Sequence, residues 1–165
     1  MIYYDELNAS YAAATVEERA EMVRRCLKWF IETDDTIQRN QLSLFFCDNN
    51  IIEAVSHIIR IATDHKFSNV SDTLMYSLTE YKDISLTFDD LMKFVPIVAS
   101  GSFLASRHSY LVIEKYVQSI TSAETEKMCN SLNQHIQNGC PNADFAQDLL
   151  DYLISYNNES PVDNK

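Results

Sequence analysis

The stretch from Phe88 to Ala105, FDDLMKFVPIVASGSFLA, constrains the fold more than any other part of the chain. From Phe94 to Ala105 it carries no charge, although 24 of the 165 residues are Asp or Glu. Such a run is too short to span a bilayer, which takes about 20 apolar residues, but it is long enough for a helix that is buried on all sides. We therefore expect a central buried helix at residues 96–106, surrounded by amphipathic helices.

The composition of the chain favours an all-α domain. Gly occurs only twice and Pro three times, and both residues are needed at the turns of strand-rich folds. A chain of this length fits one domain with a substantial core. We predict a single helical domain over residues 1–156 and a polar, disordered tail over residues 157–165.

The net charge of −11 limits the classes of partner. Nucleic-acid binding depends on Lys and Arg side chains that neutralise phosphates, so a nucleic-acid partner is not expected. An anionic membrane surface is disfavoured for the same reason. The acidity is interpreted as a source of solubility, with attraction to a basic partner as the alternative.

The N-terminal residues and the cysteines point to a cytosolic protein. Residues 1–14 contain neither the basic region nor the apolar region of a signal peptide. The four cysteines show no CxxC pair, and reduced thiols are the rule in the cytosol.

Apolar spacing and capping residues predict the other helices. The combined pattern places helices at about 15–32, 50–66, 70–81, 87–95, 96–106, 110–120, 121–137 and 143–156. Thr15 with Glu18 and Thr121 with Glu124 form capping boxes, and the pair Asn138-Gly139 is a helix stop. Residues 33–48 are expected to be irregular.

The sequence contains no pattern that indicates an enzyme. His57 and His65 lie eight residues apart on one predicted helix, whereas a helical metal pair needs a spacing of four. The adjacent acids Asp34-Asp35 and Asp89-Asp90 diverge if they are helical. Neither a glycine-rich phosphate loop nor a GxSxG motif occurs. We expect no catalytic residue, no metal, no cofactor and no small-molecule substrate.

Three segments, in the same order along the chain, resemble motifs of the Bcl-2 family of apoptosis regulators. KFSNVSDTL, at 66–74, resembles the segment that follows the BH3 motif of prosurvival members. IVASGSFLA, at 97–105, resembles the helix after the BH1 motif Asn-Trp-Gly-Arg, which KFVP replaces here. LNQHIQNGCPNADF, at 132–145, resembles the BH2 region without its two tryptophans. The resemblance covers about residues 50–150 and implies a Bcl-2-like helical bundle. The eroded motifs are similar to those of virus-encoded members.

The resemblance implies a partner-binding groove. Members of the family, a well-known example of helix-in-groove recognition, hold the amphipathic BH3 helix of a proapoptotic partner between their second and fifth helices. The implied apolar lining here is Ile59, Phe67, Val70, Leu74, Leu91, Val98, Ala99 and Phe103. Pro96 stands where the family has an arginine that pairs with an aspartate of the ligand. We hypothesise that Lys93, one turn away, contacts that aspartate instead.

The function implied by the resemblance is inhibition of apoptosis by sequestration of BH3 motifs, in the host cytoplasm. The chain shows no apolar anchor after Tyr156, so a mitochondrial location is expected only if such an anchor has been trimmed. Loss of the arginine and of the anchor supports an alternative, an antagonist of innate immune signalling that does not bind BH3 motifs. A pore-forming role is disfavoured by the acidic surface, and a homodimer that covers the groove stays open.

Overall fold

The computed structural model of the protein describes residues 3–64 and 71–159. Every regular element in these ranges is helical and none is a strand, which confirms the all-α prediction. Backbone contacts group the chain into two compact units, Met1–Ile84 and Ser85–Lys165. The single domain predicted over residues 1–156 stays a prediction.

The first unit is organised around its third helix. Its helices are α1 (Tyr4–Ala13), α2 (Val16–Glu32), α3 (Thr36–Asp48), α4 (Val55–Ala62, after a 3-10 turn at Ile52–Ala54) and α5 (Ser71–Glu80). Helix α3 packs against α1, α2 and α5, and α4 packs against α5. Phe30 of α2 and Phe46 of α3 are fully buried with ring centroids 5.5 Å apart, so aromatic packing fixes this pair of helices.

Helix α3 replaces the irregular segment predicted at 33–48, and that prediction is wrong. Asp35 caps the helix, since its Oδ1 accepts a hydrogen bond from the backbone N of Ile37 at 2.9 Å. The buried Arg39 donates from Nε to the carbonyl oxygen of Phe30 at 3.2 Å and from its terminal nitrogen to that of Thr33. Burial lowers the pKa of Arg39. Its guanidinium therefore serves the carbonyl groups at the end of α2.

The second unit contains α6 (Phe88–Met92), α7 (Val95–Ser100), α8 (Phe103–Tyr116, followed by a 3-10 turn at Val117–Ser119), α9 (Ser122–Gln137) and α10 (Ala143–Glu159). Helices α9 and α10 pack along each other, and α7 packs against α8, α9 and α10. The short helix α7 is thus the most enclosed element of this unit.

The predicted central helix at 96–106 is wrong as one continuous, buried element. Helix α7 ends at Ser100, and Gly101 has extended backbone with φ −74° and ψ 178°. Ser102 then caps a new helix, because its Oγ accepts from the backbone N of Ala105 at 3.2 Å. Phe103 and Leu104 are 64% and 47% exposed. The glycine and the serine cap therefore divide the apolar run into a buried half and a partly exposed half.

Local signals predicted several other boundaries well. The capping boxes at Thr15, Thr87 and Thr121 begin α2, α6 and α9. Gly139 follows α9 at φ +71°, the left-handed region that glycine adopts at little cost. Helix α10 continues to Glu159, so the first residues of the predicted tail are helical, and residues 160–165 lie outside the described part of the chain.

No helix in the described ranges is both long and apolar enough to cross a membrane.

Candidate functional site

The predicted groove residues of the first unit are buried where they are described. Ile59 lies on α4 and Leu74 on α5, and neither is more than 2% exposed. A ligand would reach these two side chains only after movement of the helices that cover them. The predicted contacts at Phe67 and Val70 fall outside the described residues.

The predicted groove residues of the second unit divide into buried and exposed sets. Leu91 of α6 and Val98 and Ala99 of α7 are completely buried. Lys93, between α6 and α7, and Phe103, the first residue of α8, face solvent. Within this unit, only these two predicted residues are accessible to a partner in the present conformation.

Lys93 is engaged in an ion pair with a residue of its own unit. Its Nζ lies 2.8 Å from Oδ1 of Asp90. Partial burial tends to raise the pKa of Asp90, but hydrogen bonds from Lys93 and Thr87 outweigh it, so that this pKa is lowered overall. Lys93 would have to share its ammonium with Asp90, or leave Asp90, in order to contact a ligand aspartate.

An exposed apolar patch lies at the start of α8, and we call Phe103, Leu104 and Phe145 the aromatic patch. The ring centroids of Phe103 and Phe145 are 5.6 Å apart in an edge-to-face arrangement. Phe145 lies near the start of α10 and is partly buried. The contact between Phe103 and Phe145 thus joins two segments that are about forty positions apart in sequence.

Asn142 holds the backbone beneath the aromatic patch. Its backbone N donates to the carbonyl oxygen of Ala99 at 3.0 Å. Its Nδ2 donates to the carbonyl oxygen of Gly101 and to Oγ of Ser106, both at 2.8 Å. Ser106 in turn donates to the carbonyl oxygen of Ile97 at 2.9 Å. These bonds fix the break between α7 and α8 against the start of α10.

Sequence reasoning did not include Asn142, Leu104 or Phe145 among the site residues. The signals were present, because Phe145 belongs to the BH2-like segment and Asn142 has the side chain of a helix N-cap directly before α10. The exposure of Leu104 depends on where α8 begins. The predicted continuous helix at 96–106 placed Leu104 in the buried core instead.

Metal-ligating groups and cysteine thiols are two kinds of chemical site for which the described residues can be searched. No group of three or more His, Cys, Asp or Glu side chains within residues 3–64 and 71–159 is placed to hold a metal ion. Burial, helped by the charge of Glu80, raises the pKa of the Cys47 thiol to about 11. Burial also raises the pKa of Cys26 and of Cys129. Since the thiolate is the nucleophilic form, these three thiols are poor nucleophiles near neutral pH.

No protein-family model matches the chain, and no curated protein or solved structure is significantly similar to it. The resemblance to the Bcl-2 family is therefore one of the three sequence segments alone.

Proposed function

We propose that this protein inhibits apoptosis by binding the BH3 helices of proapoptotic Bcl-2 proteins, as a virus-encoded member of the family acting in the host cytoplasm. The observation that carries the proposal is the contact between Phe103 and Phe145. These residues belong to the BH1-like and BH2-like segments, and they meet at an exposed apolar surface. An amphipathic helix presents apolar side chains at i, i+3, i+4 and i+7, which such a surface can receive.

Burial of the aromatic patch by a ligand would contribute to the free energy of binding. Complete burial of an exposed Phe side chain contributes about 1.5–3 kcal/mol. Phe103 is 64% exposed, so much of that contribution is still unrealised in the free protein. Asn142 fixes the backbone on both sides of Gly101, so little ordering of the chain is needed at this point when a ligand binds.

The polar part of recognition differs from the family pattern. Pro96 is exposed and has no hydrogen to donate to the aspartate of a BH3 ligand. Leaving one partner of a buried charged pair without the other costs roughly 2–5 kcal/mol, and 1.4 kcal/mol is about a tenfold change in affinity. We therefore expect the protein to select ligands whose apolar contacts are strong.

The test is calorimetric titration with BH3 peptides from Bim, Bak, Bax, Bid and Puma. We expect sub-micromolar binding of at least one peptide, weakened about tenfold or more by Phe103→Ala. Ile37→Ala is the matched control, because Ile37 is 63% exposed but lies on α3 of the first unit. Absence of binding by any peptide to the folded helical protein, or equal weakening by both variants, would contradict the proposal.

A second candidate is a viral antagonist of innate immune signalling that does not bind BH3 motifs. The burial of Ile59, Leu74, Leu91, Val98 and Ala99 favours it, because a peptide cannot contact these side chains while they stay covered. The same titration separates the two functions. No binding across the peptides, together with suppression of an inflammatory transcription reporter in cells, is the result expected of the antagonist.

A further inference from the structure

Helices α1 and α2 of the first unit line a small cavity that is open to solvent on one side. Its volume is about 180 Å³, and it is lined by Leu7, Met22, Arg25, Cys26 and Trp29. An apolar cavity of about 150 Å³ in a protein core is large enough to bind benzene. The cavity between α1 and α2 therefore has room for one aromatic ring or a short aliphatic chain. None of its lining residues belongs to the predicted BH3 groove or to the aromatic patch.

Helix α1, which forms one side of this cavity, is held in place by several contacts. The guanidinium of Arg19 donates to the carbonyl oxygens of Tyr11 and Ala12 at 2.9 and 2.8 Å, which fixes the C-terminal end of α1. Tyr11 also contacts Phe45 of α3 at a centroid distance of 5.4 Å. Leu7 is the one buried residue that α1 contributes within its described range. Asn8, beside Leu7, accepts a hydrogen bond at Oδ1 from Nδ2 of Asn49 at 2.6 Å, so α1 is held near the cavity as well as at its C-terminal end.

The charged residue of the lining is Arg25. No carboxylate in residues 3–64 and 71–159 forms an ion pair with its guanidinium, whereas the neighbouring Arg24 pairs with Glu21 at 2.7 Å. Arg25 is exposed, so its guanidinium is accessible to an anionic ligand. A guanidinium presents parallel N–H donors that match the two oxygens of a carboxylate.

We propose that this cavity binds a small amphipathic carboxylic acid, whose single ring or short chain lies against Leu7, Met22 and Trp29 and whose carboxylate pairs with Arg25. The cysteine of the lining adds no negative charge. Cys26 is buried, and burial raises the pKa of its thiol, so that the thiol is neutral near pH 7.

The fluorescence of Trp29 provides a direct test, because Trp29 is the single tryptophan of the chain and lies at the cavity. The probes are 3-phenylpropanoate and its uncharged amide, 3-phenylpropanamide, which differ in the carboxylate alone. We expect a saturable change in tryptophan emission with the acid, and binding of the amide that is weaker by about tenfold or more, which is 1.4 kcal/mol.

Two variants separate a specific site from general attraction of anions. Arg25→Gln is expected to weaken binding of the acid about tenfold and to leave binding of the amide unchanged. Arg24→Gln removes the same charge one residue away, outside the cavity, and is expected to change neither affinity. Circular dichroism establishes that both variants are folded, as expected for side chains that are exposed.

Three results would overturn the proposal. The first is no saturable emission change with either probe, and the second is equal binding of acid and amide by the unmodified protein. The third is binding of a peptide with adjacent Phe and Asp residues but not of the free acid, which would identify the cavity as a protein-docking site. Because no lining residue belongs to the aromatic patch, failure here is distinguishable from failure of BH3 binding.

Discussion

Gly101 lies between α7 and α8, and its surroundings leave no room for a side chain. A Cβ atom at this position would lie 2.7 Å from the carbonyl oxygen of Ile97, 2.9 Å from Cγ2 of Ile97 and 3.2 Å from Cβ of Ala105. Its φ of −74° is accessible to any residue. The requirement for glycine here is therefore one of space, and the obstacle is main chain, which cannot turn aside as a flexible side chain can.

Replacement of Gly101 by Ala is expected to lower the free energy of unfolding by about 1–3 kcal/mol, the usual cost of forcing an extra carbon into a packed site. Ser100→Ala is the matched control, because Ser100 is exposed and is expected to change stability by less than about 0.5 kcal/mol. Urea unfolding followed by circular dichroism measures both. Equal stabilities of the two variants would mean that the break between α7 and α8 does not depend on this close contact.

At the scale of elements, the capping boxes combine a hydrogen bond from the backbone with a titrating carboxylate. At the start of α9, Oγ1 of Thr121 accepts from the backbone N of Glu124 at 3.3 Å, and Oε2 of Glu124 accepts from the backbone N of Thr121 at 2.8 Å. Hydrogen bonds from the backbone and side chain of Thr121 lower the pKa of Glu124 from its ordinary value of 4.5. The folded-state pKa is thus below the unfolded-state pKa. The stabilisation is complete above the unfolded value and is lost as the pH falls through the folded value.

We expect Thr121→Ala to destabilise the protein by about 1 kcal/mol at neutral pH, the usual effect of removing a Thr cap. The difference in melting temperature between Thr121→Ala and the unmodified protein should shrink as the pH falls below 4.5, because protonation of Glu124 removes the reciprocal bond in the unmodified protein. Glu124→Gln keeps an acceptor that does not titrate, so it should reduce the dependence on pH. A difference that is constant between neutral and acidic pH would contradict this account.

The distance in sequence between a residue and its hydrogen-bond partners explains which helices were predictable. The start of α9 was predicted correctly because Thr121 and Glu124, which lie within one turn, form reciprocal hydrogen bonds between side chain and backbone. Helix α3 was missed because buried Arg39 interrupts its apolar pattern, and the partners of Arg39 are carbonyl groups of Phe30 and Thr33 on another part of the chain. A buried arginine is stabilised only by such contacts, and the local sequence does not reveal them.

The candidate site divides in the same way between what was predictable and what was not. Residue types identified an apolar run that includes Phe103, but periodicity alone placed it on a buried helix. Its exposure results from the break at Gly101, and the partner ring of Phe145 is brought near by Asn142. Whether an apolar side chain lies in the core or on a binding surface depends on these distant contacts, to which periodicity is insensitive.

At the scale of the whole molecule, unbalanced charge is the dominant long-range feature. The chain has 24 acidic and 13 basic residues, so its acids outnumber the basic groups that could pair with them, as Arg24 pairs with Glu21 and Lys93 with Asp90. Like charges that are not paired repel each other across the folded surface and relax when the chain unfolds. The Debye length falls from about 30 Å at 0.01 M salt to about 10 Å at 0.1 M, so moderate salt screens most of this repulsion.

The melting temperature is therefore expected to rise with sodium chloride between about 0.01 and 0.1 M. For a chain of this size, each 1 kcal/mol recovered by screening raises it by about 2–4 °C. The triple variant Glu32→Gln, Asp83→Asn and Glu159→Gln removes exposed acids that lie at the C-terminal ends of helices or in a loop, where they gain nothing from the helix dipole. It should melt higher than the unmodified protein at low salt and respond less to added salt. A melting temperature that falls with salt would show that attraction between opposite charges outweighs the repulsion. In that case the acidic residues would not lower the free energy of unfolding, and they would be available to attract a basic partner.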